Sequence, residues 1–280
     1  MTQTSPNNPL SGYFRQPKIY LTLPSGGKYY PDGALELTET GELPVYAMTA
    51  RDEIAFKTPD ALLNGQATVD VIQSCVPAIK NAWHMPSLDL DAVLIAIRIA
   101  TYGEMMDLTA KIPNINEERT YQVDLRQVLE QLINNEFEQT ITIDNLVIHL
   151  KPLTYQQFTQ SALKTFEEQR VFQVVNNNDM DEQEKLAHFN RSFKKLTELT
   201  VGMVTNSISA IEADDTVVDN AEHLAEFIEN ADQKFYTEIT KHIEAQKTKF
   251  SVQPLTIKPE PDEVAAGAPE SFELPIVFDQ

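Results

Sequence analysis

The chain has 280 residues, 42% of them apolar, and 42 acidic residues face 22 basic ones for a formal net charge of −20. That is enough to bury one large core or two small ones. The acidity and the lack of any basic run argue against a nucleic-acid partner, and no stretch approaches the ~18 apolar residues of a membrane span.

Residues 1–17, with Pro6, Pro9 and Pro17 among Asn, Ser and Gly, read as a flexible arm. The arm is polar and has no signal- or transit-peptide pattern. Lys18 to Leu23 alternates apolar and polar residues and predicts a short strand, followed by a Pro-Ser-Gly-Gly turn. Leu35, Leu37, Leu43, Val45 and Met48 predict two strand pieces around Thr40-Gly41. Thr49 is placed to cap a short helix with Asp52 and Glu53 near its positive end, and Pro59 to Leu63 reads as another helical turn. Ile72, Cys75, Val76, Ile79 and Trp83 fall on one helical face. Leu90, Val93, Leu94 and Ile97 repeat that pattern behind Ser87 as cap, and Tyr102-Gly103 stops it.

Alternating Met106, Leu108, Ala110 and Ile112, then Tyr121, Val123 and Leu125, predict a hairpin. Leu125 to Ile133 reads as a short helix, and Thr140–Ile143 with Leu146–Leu150 as a second hairpin around Asp144-Asn145. Thr154 and Gln157 form a capping-box pattern for a helix reaching about Val175. A long amphipathic helix from Leu186 to Ile208 follows, then a last helix capped near Asp219 and running through Ile243. Three antiparallel helices in a bundle would bury those faces. Residues 251–280 hold five prolines and six acidic residues against one lysine and read as an extended acidic tail. Its apolar end, Phe272 to Asp279, could dock as a strand or bind a partner. The fold class is therefore α+β: an arm (1–17), an α+β region with hairpins and two amphipathic helices (18–153), a helical region (154–250) and the tail (251–280).

The pattern Ser25-Gly26-Gly27-Lys28 invites comparison with a phosphate loop, G-x-x-x-x-G-K-[ST]. Thr22 stands where the first glycine belongs, Tyr29 where the magnesium-binding hydroxyl belongs, and no apolar helix follows. A tight turn is the better reading. Asp179-Met180-Asp181-Glu182 resembles the start of a calcium loop, but Glu184 and Asn190 occupy the positions that need glycine and glutamate. His84, His149, His188, His223 and His242 are scattered without zinc-ligand spacing. Cys75 lies in an apolar pattern as a core thiol, and a lone cysteine permits no internal disulfide, which fits a reducing compartment. There is no Gly-x-Ser-x-Gly elbow. Asp52, Glu53, Asp89 and Asp91 read as first-turn helix charges rather than a catalytic pair. Phe158, Phe166, Phe172, Phe189 and Phe193 are core residues at helical spacing, or subunit contacts where exposed. No catalytic, cofactor-binding or metal-ligating residue is assigned.

The ordered segments LPSGGKYYP (from Leu23), MTARDEIAFKTPDALLNGQATVDVIQSCV (from Met48) and LDLDAVLIAIRIATYGEMM (from Leu88) carry a resemblance. Together with Val123–Leu125 and LKPLTY at Leu150–Tyr155, the chain resembles the baseplate hub and hub-assembly proteins of T-even-type contractile-tailed bacteriophages. The shared features are the Leu-Pro-Ser-x-Gly turn, the Leu-Leu-x-Gly segment and the Arg-x-x-x-Tyr-Gly helix end, Arg98 to Gly103. The resemblance covers residues 18–155 and weakens beyond. It implies a non-enzymatic tail protein whose partners are other baseplate or tail proteins, present in the host cytoplasm during assembly and in the virion if retained. A dedicated chaperone for another tail component, or an enzyme with converging carboxylates, are the alternatives. Relatives with a Cys-Pro-x-Cys pair imply a metal site where this chain has Ile112-Pro113-Asn114-Ile115. Here the resemblance implies apolar packing of that hairpin instead.

Overall fold

Alternation at the N-terminus builds the first pairing. Strand β1 (Pro17–Thr22) runs antiparallel to β2 (Glu42–Tyr46), and the fully buried Leu21 and Leu43 face each other. The computed structural model describes residues 10, 13–57, 65–115, 117–177, 181–214 and 216–276, with side chains omitted for 172–177. Of the strand pieces expected around Thr40-Gly41, only the second enters a ladder, while Leu35 makes an isolated bridge to Ile79.

Helix α1 (Ala50–Phe56) starts with the expected cap: Thr49 Oγ1 accepts from Asp52 N, and Asp52 accepts from Thr49 N. The helical turn expected at Pro59 to Leu63 lies outside the described residues. Helix α2 (Gln66–Cys75) is shorter than its apolar period implies. Pro77 disfavours helical backbone at Val76, which takes φ −127° and ψ 75°. Val76 and Ile79 therefore reach the core from turns. Helix α3 (Leu90–Tyr102) ends where Gly103 takes φ 94°, and its buried residues span Ala92 to Ala100.

Strands β3 (Met105–Lys111) and β4 (Glu118–Asp124) pair antiparallel and lead into α4 (Leu125–Ile133), which Asp124 caps. These elements surround one hydrophobic cluster, with Leu21, Ile72, Ile79, Met85, Ile95 and Leu125 near its centre.

The second cluster is built differently from the expected helical bundle. Strands β5 (Thr140–Ile143), β6 (Leu146–Leu150), β7 (Ile208–Ala213) and β8 (Thr216–Val218) form one antiparallel sheet in that order. Helices α5 (Tyr155–Asn177) and α6 (Glu182–Asn206) form a hairpin inserted between the neighbouring strands β6 and β7. Ile208, read from sequence as the end of the long helix, begins β7 and is buried. The last helix is two helices, α7 (Ala221–Asn230) and α8 (Gln233–Lys249). Asn220, rather than Asp219, caps α7, and Asp232 caps α8 by accepting from Phe235 N. Their apolar faces, Leu224, Ile228, Phe235 and Ile239, cover the sheet residues Ile143, Ile148 and Ile211. This packing groups residues 140–150 with the C-terminal elements across the division read at 153/154.

The expected extended tail is also corrected over residues 251–276. Strand β9 (Leu255–Ile257) pairs antiparallel with β10 (Phe272–Leu274), and a short helix α9 (Pro261–Ala265) lies between them. Val252, Leu255, Leu274 and Ile276 pack onto the first cluster. Burial of those side chains explains why a proline-rich acidic segment folds back: the apolar residues are few but alternate with polar ones at strand period.

Candidate interaction surfaces

The Leu-Pro-Ser-Gly-Gly turn closes over the chain's own buried Asp89 carboxyl group. Ser25 donates its backbone N–H to Asp89 Oδ1 at 2.8 Å and its hydroxyl to Asp89 Oδ2 at 2.6 Å. The Tyr30 hydroxyl donates to the same Oδ2 at 3.0 Å. Gly27 N–H donates to Ser25 Oγ at 3.1 Å, so the groups a phosphate would need are already engaged. Glycine is required at Gly27 on two counts: its φ is 79°, and a Cβ there would stand 2.7 Å from Leu37 Cδ1.

Asp89 has 0% exposure. Burial pushes its pKa up to about 6, against the lowering effect of the Ser25 and Tyr30 hydrogen bonds. The sequence reading of Asp89 as a first-turn charge set by the helix dipole is thus corrected: its side chain makes no cap bond to α3 and points into the turn. Asp91 stays in the first turn and also accepts from Val252 N–H at 2.8 Å, fastening the tail. Burial raises its pKa and that hydrogen bond opposes the rise.

A second latch ties down the end of the expected arm. Arg15 donates to Ala47 O at 2.5 Å, to Ser74 O at 2.6 Å and to Ser74 Oγ at 2.8 Å, and pairs with Asp52 at 3.5 Å. Asp52 also accepts from Thr49 and Ser74 hydroxyls. Residues 13–17 of the segment read as flexible are therefore fixed, because guanidinium donors find carbonyls across a long sequence gap. Cys75 lies beneath Arg15 and is fully buried. Burial, then the Asp52 charge, push its thiol up to about 11, which leaves it protonated.

The third latch holds the tail. Arg119 on β4 pairs with the buried Glu263 of α9 at 2.8 Å, while Tyr121 meets Phe272 edge-on at 6.4 Å. On the hairpin turn between β3 and β4, Ile112 is buried and its N–H donates to Glu117 O at 2.9 Å. Of the Ile112-Pro113-Asn114-Ile115 stretch, Ile112 is buried, Ile115 is half-buried, and Pro113 and Asn114 are exposed. The Arg-x-x-x-Tyr-Gly helix end is structural, since the Arg98 guanidinium lies 4.9 Å from the Tyr102 ring centre. His149 bonds Glu212 across β6 and β7 at 2.9 Å, and His84 meets Asn81 at 3.3 Å. Among the described residues, no three His, Cys, Asp or Glu side chains are grouped to hold a metal ion, and no helix is long and apolar enough to cross a membrane. Asp179 lies outside the described residues, and Glu182 begins α6.

Apolar side chains are also left outward at two places. A cleft of about 140 Å³ lies where the two clusters meet, lined by Leu88, Phe137, Leu150, Phe158, Ile243 and Phe250 among others. The helical hairpin α5–α6 is anchored at its root. Thr154 and Gln157 complete the expected capping box, Tyr155 N–H donates to Met85 O at 2.7 Å, and the Tyr155 ring stacks on Trp83 at 5.6 Å. Beyond the root it packs chiefly on itself. Of the described side chains in 155–171 and 181–203, only Tyr155 and Ser192 are buried. Phe158, Phe166, Leu186 and Phe193 are exposed, so three of these aromatics fall on the subunit-contact side of the sequence reading, not the core side.

With its buried polar groups committed to internal latches and apolar side chains left on an arm, the chain is an acidic α+β protein. A family model described as T4 bacteriophage base plate protein matches residues 16–258. The chain belongs to that family, whose role is structural, in the phage tail. Neither the comparison with curated proteins nor that with solved structures returned a match.

Proposed function

We propose that the protein is a non-enzymatic component or assembly factor of the baseplate hub of a contractile phage tail, working through protein–protein contacts. The observation that supports this best is the family match across 16–258 on a chain whose helical arm buries few of its described side chains. A two-helix hairpin gains little stability alone, because helices are held mainly by burial of an apolar face. Such an arm is suited to completing its packing against a neighbour. The acidic surface, with net charge −20, favours partners with basic faces and discourages nonspecific self-collapse.

Mass spectrometry of purified particles separates the two roles. A fixed ratio to other baseplate proteins marks a resident component. Absence from particles, with presence on assembly intermediates, marks an assembly factor or a chaperone for another tail subunit.

A further inference from the structure

We propose that the cleft where the two clusters meet holds a lysine side chain of a partner protein, with its ammonium group on Asp91. The inference rests on the reading that the protein works by contact, and it names the chemistry of one anchor.

Three observations carry it. The first is the cleft itself, about 140 Å³ in volume. One wall is Leu90 and Asp91 at the start of α3, and the other is Ile243 and Phe250 at the end of α8. Leu150 at the end of β6 and Phe158 at the root of the arm complete the apolar lining. Walls of this kind favour methylene groups over water.

The second is the carboxylate in that lining. Asp91 is the one acidic residue among the described residues of the cleft. Its Oδ2 accepts from Val252 N–H at 2.8 Å, while Oδ1 has no hydrogen-bond or ion-pair partner among the described residues. Burial raises the pKa of this group, so its charged form carries a cost that a cation in the cleft would relieve. The start of α3 supplies only a partial positive charge. One unspent oxygen suits an ammonium group, which acts as a compact point charge. A guanidinium fork would need both oxygens. The four-carbon stem of lysine lies along apolar walls while its head reaches the acid.

The third is the surrounding charge. A chain of net charge −20 draws cationic partners. Lys151 and Lys247 also line the cleft and oppose a cation there. Both are exposed, neither is within ion-pair distance of Asp91, and Lys247 lies 3.4 Å from Glu244. Their hydrated heads act through screening solvent, whereas Asp91 acts at contact in a less polar place. The carboxylate therefore sets the preference.

The test compares head groups. Hexylammonium, hexanol and hexanoate are each titrated into the full chain, and the Ile243 methyl signal is followed by NMR. Hexylammonium should bind in the millimolar range expected for so small a ligand, about tenfold tighter than hexanol, with hexanoate weakest. D91N keeps an acceptor for Val252 N–H and should reduce hexylammonium to the affinity of hexanol. Should D91N unfold, the three ligands on the wild type carry the test. No change at Ile243 would overturn the proposal, as would equal binding of the ammonium and the alcohol. Tighter binding of hexanoate would overturn it in favour of Lys151 and Lys247. The partner is tested by sedimentation from infected cells: folded D91N should travel with baseplate intermediates several-fold less than wild type, and an undiminished share would overturn the proposal. Wild type missing from those fractions would instead refute the baseplate reading, which the ligand titrations leave untouched.

Discussion

Replacing Asp89 by asparagine changes stability in a pH-dependent way whose sign follows from the structure. Asp89 is fully buried, accepts three hydrogen bonds, and has no cation among those partners. Its pKa rises from 3.8 to about 6 on folding. The folded state therefore holds a proton that the unfolded state has released between those two values. Stability from this group is present in acid and is lost as pH rises through about 6, where the carboxylate ionises without a counter-charge. A shift of about two units corresponds to about 3 kcal/mol. Asparagine is neutral throughout and escapes that cost. It loses some acceptor capacity at Oδ2, where both hydroxyls donate, at about 1 kcal/mol. Other carboxylates shape the profile of both proteins, so the quantity to read is the difference between them. Urea unfolding followed by circular dichroism, from about pH 4 to about pH 8, should show D89N gaining on the wild type by about 2–3 kcal/mol as pH rises. A difference that is flat with pH, or that grows in the opposite direction, would refute the account of Asp89 as a buried carboxylate without a charge partner.

Other consequences are equally open to measurement. G27A should lose about 1–3 kcal/mol, since it combines a positive φ with a Cβ 2.7 Å from Leu37, and thermal unfolding reads this directly. R119A strands the buried Glu263 and should release the tail; limited proteolysis within 251–276 should accelerate several-fold, at a cost of about 1–3 kcal/mol given that Arg119 is partly exposed. Cys75 should resist a thiol reagent at neutral pH in the folded protein and react fully once urea unfolds it, as burial and a pKa near 11 dictate. Rapid labelling of the native protein would contradict that placement.

Local chemistry was legible in the sequence wherever a signal and its partner lie close together. The Thr49 and Thr154 caps, the stop at Gly103 and the helix from Leu125 to Ile133 follow from residues within four positions of one another. Apolar period misled where a breaker interrupted it. The stripe from Ile72 to Trp83 is buried along much of its length, yet Pro77 ends the helix at Cys75, Val76 and Ile79 reach the core from a turn, and Trp83 packs from a separate 3-10 helix. Ile208 fits a helical stripe and a strand equally well, and only pairing with Leu150 decides between them. The bundle expected from three helical stripes gave way to helices on a sheet for the same reason. Strand β7 is six residues long and hidden behind a helix of 25.

The latches were invisible because their halves are far apart in the chain. Ser25 and Asp89 are separated by 64 positions, and Val252 and Asp91 by 161. Arg119 and the buried Glu263 likewise sit in unremarkable polar stretches. The Leu-Pro-Ser-Gly-Gly turn did carry a usable clue. It failed the phosphate-loop pattern, yet Ser25 followed by two glycines still marked a backbone shaped to present donors to something, and that something is Asp89. The arm's exposure could not be read either. A stripe of Phe and Leu at helical spacing looks the same whether it faces a core or a partner.

The central claim is that the protein does its work bound to other baseplate subunits. The most direct measurement is sedimentation of epitope-tagged protein from infected cells through assembly, with baseplate and hub intermediates identified in each fraction. The account predicts that a substantial share travels with those intermediates, and that L186E/F193E reduces that share. Protein found only as free molecules throughout infection, absent from every baseplate-containing fraction, would contradict it.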